Sequence, residues 1–215
     1  MSNRSEFQSI VQSLLAGEII CEITQEHRFN YLSDEVNRQR VDDYLAHLNR
    51  RLRQTTDGKA FICAYANLDD KNVRSAIRNE FRQVVNELAG FVRWHKLVQG
   101  AQPYKGPLLA GDMLQESDLL YAIEQSQALS TQLNELCRKG AFVSQASQPR
   151  DKLRQVLRKL TEFGYLVQVG HSGAQYQATA RWSWLYDVME FIRAHERLEI
   201  EDSPTESESQ SELFL

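Results

Sequence analysis

The chemistry most directly available to this sequence is the neutralisation of phosphate by clustered positive side chains. Five bases fall between positions 149 and 162, against two acids. They are Arg150, Lys152, Arg154, Arg158 and Lys159. Lysine and arginine bind nucleic-acid phosphates in a salt-dependent way that tolerates many sequences. We therefore predict that this segment contacts DNA; the alternative is that its bases form a solvated helix surface.

A helix has to carry these bases. Pro149 and Asp151 are common at helix starts, and apolar residues then recur every three or four positions. Gly164 is suited to end the helix, because glycine readily adopts positive φ. The apolar stripe consists of Leu153, Val156, Leu157, Leu160 and Phe163.

A two-stranded ribbon is predicted directly after this helix. YLVQV and YQATA favour strands, and HSGA between them favours a turn with His171 and Ser172 at its tip. A basic amphipathic helix followed at once by a ribbon is typical of the second half of a winged helix. In that fold the helix enters a DNA groove and the ribbon touches the flanking backbone. His171 and Ser172 therefore join the five bases as candidate DNA contacts.

A similar order of elements is predicted nearer the start of the chain. Residues 5–16 predict a helix, and EIICEI predicts a short extended or capping segment. Residues 31–53 predict a long basic helix, and KAFICAYA predicts a strand, without an obvious second strand for a wing. Because acids lie beside its bases, we interpret this helix as structural or as a protein interface. Its bases are Arg38, Arg40, Arg50, Arg51 and Arg53.

These elements predict a mainly α fold with small β wings, of the α+β class, built from tandem winged-helix domains. Residues 1–72 form the first winged helix, and residues 73–111 a connecting helix and a Gly/Pro-rich linker. Residues 112–197 form the second winged helix with a following helix. Residues 198–215 are expected to be an acidic, disordered tail. The apolar stripes of 73–99 and 181–195 are candidates for core or for a protein interface.

The charge of the chain is distributed unevenly. The net charge is −4, but seven acids and one base lie between residues 196 and 215, so the preceding residues carry +2. A slightly basic body fits contact with nucleic acid. The acidic tail has three interpretations: it solubilises the chain, competes with DNA for the basic helix, or docks on a basic partner.

Several chemistries lack their usual motifs. The five histidines include no HxxxH pair, and no GxSxG, GxxxxGK[ST] or GxGxxG occurs. We expect neither an enzyme nor a bound metal or cofactor. Cys21, Cys63 and Cys137 are widely spaced, which predicts buried thiols in a reducing compartment. With no long apolar run and no signal-like start, the chain is predicted to be cytoplasmic.

The arrangement over about residues 5–195 resembles the MukE/MksE family, the tandem winged-helix, kleisin-interacting subunits of bacterial MukBEF-type and MksBEF-type condensins. The resemblance rests on the order of elements and on three stretches. These are DYLAHLNRRLRQTTDGKAFICAYA, KLRQVLRKLTEFGYLVQVGHSGAQYQATA, and the helix after the ribbon with its acidic tail. The length suits MksE. One departure is the wing tip, GHSGAQ, which carries no lysine or arginine.

The resemblance implies a non-catalytic, nucleoid-associated subunit that forms a homodimer, largely through its N-terminal winged helix and the helices next to it. The dimer would bind a kleisin (MksF- or MukF-like) and, through it, the SMC ATPase (MksB- or MukB-like). The C-terminal winged helix would contact duplex DNA without sequence preference, through the five bases with His171 and Ser172. The complex would serve chromosome organisation and segregation, or plasmid defence.

Two other functions compete with this interpretation. A free-standing winged-helix transcription regulator would prefer one operator by about 10³-fold or more over bulk DNA. A pure scaffold would leave the basic helix as a solvated surface.

Overall fold

The computed structural model describes residues 3–201, except residues 68, 70, 103–105 and 171–173. It is mainly helical and contains two small antiparallel sheets of three strands each, which confirms the predicted fold class. The two sheets have the same connectivity, with the first strand of each pairing to the third and the third to the second. The chain therefore contains two modules of the same design.

The first module is built from three helices and a three-stranded sheet. Its sheet has the order β1-β3-β2, and its core is formed by Ile10, Leu14, Leu32, Leu45 and Phe61. Its elements are α1 (Asn3–Leu15), β1 (Ile20–Cys21), α2 (Glu22–Ser33), α3 (Glu35–Ala46), β2 (Arg50–Gln54) and β3 (Ala60–Tyr65).

The predicted helix over 31–53 is wrong in its second half. Helix α3 begins after Asp34, whose side chain accepts a hydrogen bond from the Asn37 backbone N–H at 3.0 Å, and it ends at Ala46. The chain then turns through Asn49, at φ 55°, into β2. Arg50, Arg51 and Arg53 therefore lie on a strand, and β2 is the wing strand that the sequence left unassigned.

Long-range pairing explains this error. Strand β2 pairs antiparallel with β3 over five residue pairs, from Arg50 with Tyr65 to Gln54 with Phe61. The spacing of Leu52 from Leu45 fits a helical stripe, but Leu52 is buried from a strand while its neighbours face outward. Helix α2 was also missed: its apolar periodicity is weak, and it is kinked at Gln25.

The second module contains five helices and a sheet of order β4-β6-β5. The predicted helices over 73–99 and from Pro149 to Phe163, and the helix predicted after the second wing, are confirmed with shifted ends, and α7 ends before Gly164, at φ 77°. The elements are α4 (Lys71–Ala101), β4 (Met113–Gln115), α5 (Glu116–Gln125), α6 (Gln127–Leu136), α7 (Pro149–Glu162), β5 (Leu166–Val169), β6 (Gln175–Ala178) and α8 (Arg181–Glu201).

The core of the second module unites α4 and α8 with the helices and sheet between them. Trp94 of α4 and Trp182 of α8 are almost completely buried, so these parts of the two aromatic stripes are core. Gly90 allows a close approach here, because a Cβ at this position would meet the ring of Phe142 at 3.1 Å. The linker also packs on this module, since the Tyr186 hydroxyl donates to the Leu108 carbonyl at 2.9 Å.

The wing turn of the first module, residues 55–58, contacts helix α8 of the second. The Thr56 backbone N–H donates to Asp187 Oδ2 at 3.0 Å. The Ser183 hydroxyl donates to Asp57 Oδ2 at 2.6 Å. We call this pair of hydrogen bonds the clasp. It joins residues more than 120 positions apart in the sequence, and it fixes the first wing against the second module.

Candidate nucleic-acid interface

Helix α7 presents three arginines in a row on its exposed side. Arg150, Arg154 and Arg158 are four residues apart, which places them one above another along the helix. All three are exposed, whereas the apolar residues of the opposite face are buried. We call these three residues the arginine stripe. Its charge faces solvent, as a phosphate-binding surface requires.

The two predicted lysines lie on a different flank of α7 and bind other parts of the module. Lys152 Nζ donates to the Asn134 side chain in α6 at 2.6 Å. Lys159 Nζ donates to the backbone carbonyls of Ala141 and Val143 at 2.9 and 3.0 Å. These lysines therefore hold α6 and the loop before α7, and a phosphate would have to compete with these contacts. Their predicted DNA contact stays a prediction.

A cleft of about 360 Å³ lies between α7 and the sheet. Two members of the arginine stripe, Arg154 and Arg158, lie on one wall, and residues of β5 and β6 contribute to the other. We call it the α7 cleft. Its lining consists of Glu116, Arg154, Arg158, Thr161, Gln168, Ala174 and Tyr176.

Glu116 is a buried carboxylate within this cleft. Its side chain is 10% exposed, and its Oε1 accepts a hydrogen bond from Arg154 Nε at 2.7 Å. This hydrogen bond and the negative charge of Glu116 raise the pKa of Arg154. Burial, together with the Glu116 charge, raises the pKa of the Tyr176 phenol as well. The cleft therefore holds one guanidinium tied to a carboxylate and a protonated phenol.

Sequence reasoning missed Glu116. It is the first residue of α5 and lies 38 positions before Arg154. An acid in the first turn of a helix is common, because it complements the helix dipole, so its type and position alone indicated nothing more. Arg158 has a local partner instead: its Nε lies 3.4 Å from Oε1 of the exposed Glu162, at the i,i+4 spacing that sequence can reveal.

The predicted wing contacts fall outside the described residues. His171 and Ser172 lie between β5 and β6, where the structure leaves residues 171–173 undescribed. The strands on both sides are placed, with Gln168 paired to Tyr176 and Val169 to Gln175. The assignment of His171 and Ser172 to a DNA contact stays a prediction.

Helix α3 occupies the corresponding position in the first module and has different surface chemistry. Arg38 forms an ion pair with Glu35, and the Arg40 guanidinium stacks on the Phe7 ring at 4.8 Å. Val36 is 77% exposed and Tyr44 is 47% exposed. The surface of this helix therefore combines exposed apolar and aromatic groups with arginines that already have partners within the chain.

Other chemistries find little support in the described part of the chain. No group of three or more His, Cys, Asp or Glu residues there could hold a metal ion. No described helix has the length and apolar character to cross a membrane. The cysteines are unpaired; Cys21 and Cys137 are buried as predicted, whereas Cys63 is only partly buried. Burial raises the pKa of the Cys63 and Cys137 thiols.

Two modules with equivalent three-stranded sheets, each with helices between its first and second strands, define a tandem winged-helix architecture. A family model described as condensin complex protein MksE matches residues 5–189. The chain therefore belongs to the MksE family and is a condensin complex subunit. No curated protein matched the chain.

Proposed function

We propose that this chain is the non-catalytic subunit of an MksBEF-like condensin that contacts duplex DNA without sequence preference through the arginine stripe. In this proposal the chain forms a homodimer and binds a kleisin. The kleisin links it to an SMC ATPase, and the complex acts on cytoplasmic DNA in chromosome organisation, segregation or plasmid defence. The proposed units are residues 1–72 and 112–197. The connecting segment 73–111 packs into the core of the second unit through α4, and the acidic segment 198–215 begins within the last turn of α8.

The observation that carries the DNA contact is the charge of α7. The helix contains five bases and two acids, a net +3, and its three arginines are exposed beside a cleft. A row of exposed arginines neutralises phosphates and displaces counterions, which gives affinity without reading bases. Together with membership of a condensin family, this supports a subunit that holds the DNA on which its complex acts.

The protein contacts are supported by α3. Its exposed Val36 and Tyr44 are apolar or aromatic, and most of its charged residues have partners: Arg38 pairs with Glu35 in the helix, and Asp42 pairs with Arg51 of β2. Aromatic and apolar groups with few unpaired charges are typical of the centre of a protein interface. We propose this face for the dimer or the kleisin. Light scattering is expected to give a dimer at micromolar concentration, and a monomer there would contradict the dimer.

The DNA contact is tested by binding of the purified full-length chain to duplexes of equal length and different sequence, over a series of salt concentrations. Wild type is compared with Arg154→Glu/Arg158→Glu. The control is Arg38→Glu/Arg40→Glu, which makes the same charge change on α3. At about 0.1 M salt each neutralised phosphate contributes about eightfold to affinity, so the α7 variant should lose about sixtyfold or more.

Three results would contradict the proposal. Equal losses in the two variants would mean that general charge, and not the α7 surface, attracts DNA. Tight binding to one duplex, about 10³-fold above the others, would favour the transcription regulator. Absence of binding at low salt would leave a scaffold.

A further inference from the structure

Both arginines of the α7 cleft direct their Nε atoms to a glutamate, but the two glutamates differ in burial. Glu162 lies on the same helix, is 60% exposed and is 3.4 Å from Arg158. Glu116 comes from α5, is 10% exposed and is 2.7 Å from Arg154. The Arg154 side chain itself is 57% exposed. The Nε of the exposed Arg154 side chain is therefore hydrogen-bonded to the buried Glu116 carboxylate.

The hydrogen bond to Glu116 uses only one of the N–H donors of the Arg154 guanidinium. Arginine has five N–H donors in a rigid planar fork, of which Nε supplies one. Within the described residues, Glu116 is the one hydrogen-bond partner of the Arg154 side chain. The donors on its two terminal nitrogens have no partner among the described residues, and the side chain lines the cleft. A guanidinium that is already held loses less conformational freedom when a ligand docks.

We propose that the α7 cleft binds one backbone phosphate of duplex DNA, and that Glu116 is the positioning residue that orients Arg154 toward it. This inference rests on the proposed DNA contact. Arg154 and Arg158 supply the charge and the fork on the helix side. Gln168 and Tyr176 supply polar groups on the sheet side, within the same cavity.

A carboxylate in a phosphate site has two opposing effects. Its negative charge repels phosphate, which lowers affinity, whereas its hold on Arg154 raises affinity. If removing the Glu116 charge weakens DNA binding, Glu116 is a positioning residue. If removing it strengthens DNA binding, Glu116 only offsets the positive charge of Arg154. Glu162 provides the matched control, because Glu116→Gln and Glu162→Gln each remove one negative charge from the partner of a cleft arginine.

The test measures duplex binding by the full-length chain over a salt series. Glu116→Gln is expected to weaken binding about eightfold at about 0.1 M salt and to reduce the slope of log K against log salt by about 0.9, the equivalent of one phosphate. Glu162→Gln is expected to bind as tightly as wild type or more tightly. Circular-dichroism melts check that both variants are folded.

A double-mutant cycle separates positioning from a general structural effect. If Glu116 acts through Arg154, then Glu116→Gln causes no further loss in an Arg154→Gln background. An equal loss in both backgrounds would overturn the proposal, and so would tighter binding by Glu116→Gln that equals the gain of Glu162→Gln. In either case the loss of binding by the Arg154→Glu/Arg158→Glu variant would still stand as support for the DNA contact itself.

A second ligand distinguishes DNA from a protein partner. A synthetic peptide of residues 199–212, which is acidic, is tested beside the duplex. If the peptide binds in a manner that requires Arg154 while the duplex does not bind, the cleft is a site for an acidic protein segment. That outcome would overturn this inference and the proposed DNA contact together.

Discussion

Helices α3 and α7 hold equivalent positions in the two modules, each before the two strands of a wing, yet they carry opposite charge. Helix α3 has two bases and three acids, a net −1, and α7 has five bases and two acids, a net +3. Both bury apolar residues against their own cores, including Leu45 in α3 and Leu157 in α7. The shared inner faces build the fold, and the difference between the outer faces underlies our proposal that the two modules have different partners.

The two wings differ in the same sense. The first wing turn contacts α8 through the clasp, so its polar groups are occupied within the chain. The second wing lies beside the α7 cleft, to which Gln168 and Tyr176 of its strands contribute. A wing is therefore an adaptable hairpin that serves an internal contact in one module and lines a candidate site in the other.

The largest expected effect is a loss of stability when buried residues of α3 and α7 are truncated. Leu45→Ala and Leu157→Ala each remove a completely buried side chain. Each should lower the free energy of unfolding by about 2–5 kcal/mol, because of lost burial and the cavity left behind. Urea denaturation measures this. A negligible loss for Leu45→Ala beside a large loss for Leu157→Ala would mean that the two cores are not equivalent.

The outer face of α3 is tested by Val36→Asp. If this face binds a second copy or the kleisin, a buried unpaired charge costs about 2 kcal/mol or more, which weakens association about thirtyfold. Analytical ultracentrifugation and pull-down with a kleisin measure the two cases. Stability should change by less than about 0.5 kcal/mol, since Val36 is 77% exposed. Unchanged association in both assays would remove α3 from the interface.

We expect two bases of α7 to have different functions, Arg150 in DNA binding and Lys159 in stability. Arg150→Gln should lower duplex affinity about eightfold at about 0.1 M salt. Lys159→Gln should instead lower stability by about 1 kcal/mol, because its hydrogen bonds to two backbone carbonyls are lost. Salt titrations and thermal melts of both variants provide the comparison. If Lys159→Gln reduced the salt slope as much as Arg150→Gln, the lysine would be a DNA contact as well.

The smallest effect is expected at the clasp, with a defined pH dependence. Burial alone would raise the pKa of Asp57, but hydrogen bonds from the Ser183 hydroxyl, the Lys59 backbone N–H and the Thr55 hydroxyl lower it below the ordinary 3.8. The ionised form therefore stabilises the fold above pH 3.8, and this contribution is lost as pH falls through the lower folded pKa.

Asp57→Asn should consequently reduce stability at pH 7 by about 0.5–1 kcal/mol, a small value because Asp57 is exposed. The difference from wild type should shrink as pH falls below 3.8. Denaturation at several pH values measures it. A difference that is constant over pH would mean that the aspartate charge has no part in the clasp.

Much of the fold could be predicted because the signals are local. Helix α7 has a start residue, an apolar stripe and a terminal glycine within sixteen positions of sequence, and these predicted its ends. The helix predicted over residues 47–53 was wrong for the opposite reason. Their spacing of leucines suits a helix, but pairing of β2 with β3 decides their conformation, and a window of sequence contains no measure of that pairing.

In the candidate site, too, features that depend on local spacing could be predicted and features that depend on tertiary contacts could not. The five bases of α7 were predicted as one group, although helical spacing alone places residues 150, 154 and 158 on one face. The different role of Lys152 and Lys159 was not predicted, since Asn134 and the carbonyls of the 137–148 loop approach them only in the folded module. Glu116 was missed for the same reason.

By itself, the sequence determined the helices with strong periodicity, the second wing and the basic character of α7, because these depend on neighbours within one or two turns. The tertiary structure alone decided which bases face solvent, that the first wing binds α8, and that a buried glutamate from α5 holds Arg154. These features depend on contacts between segments 16 to 131 residues apart, and such contacts form when the chain packs.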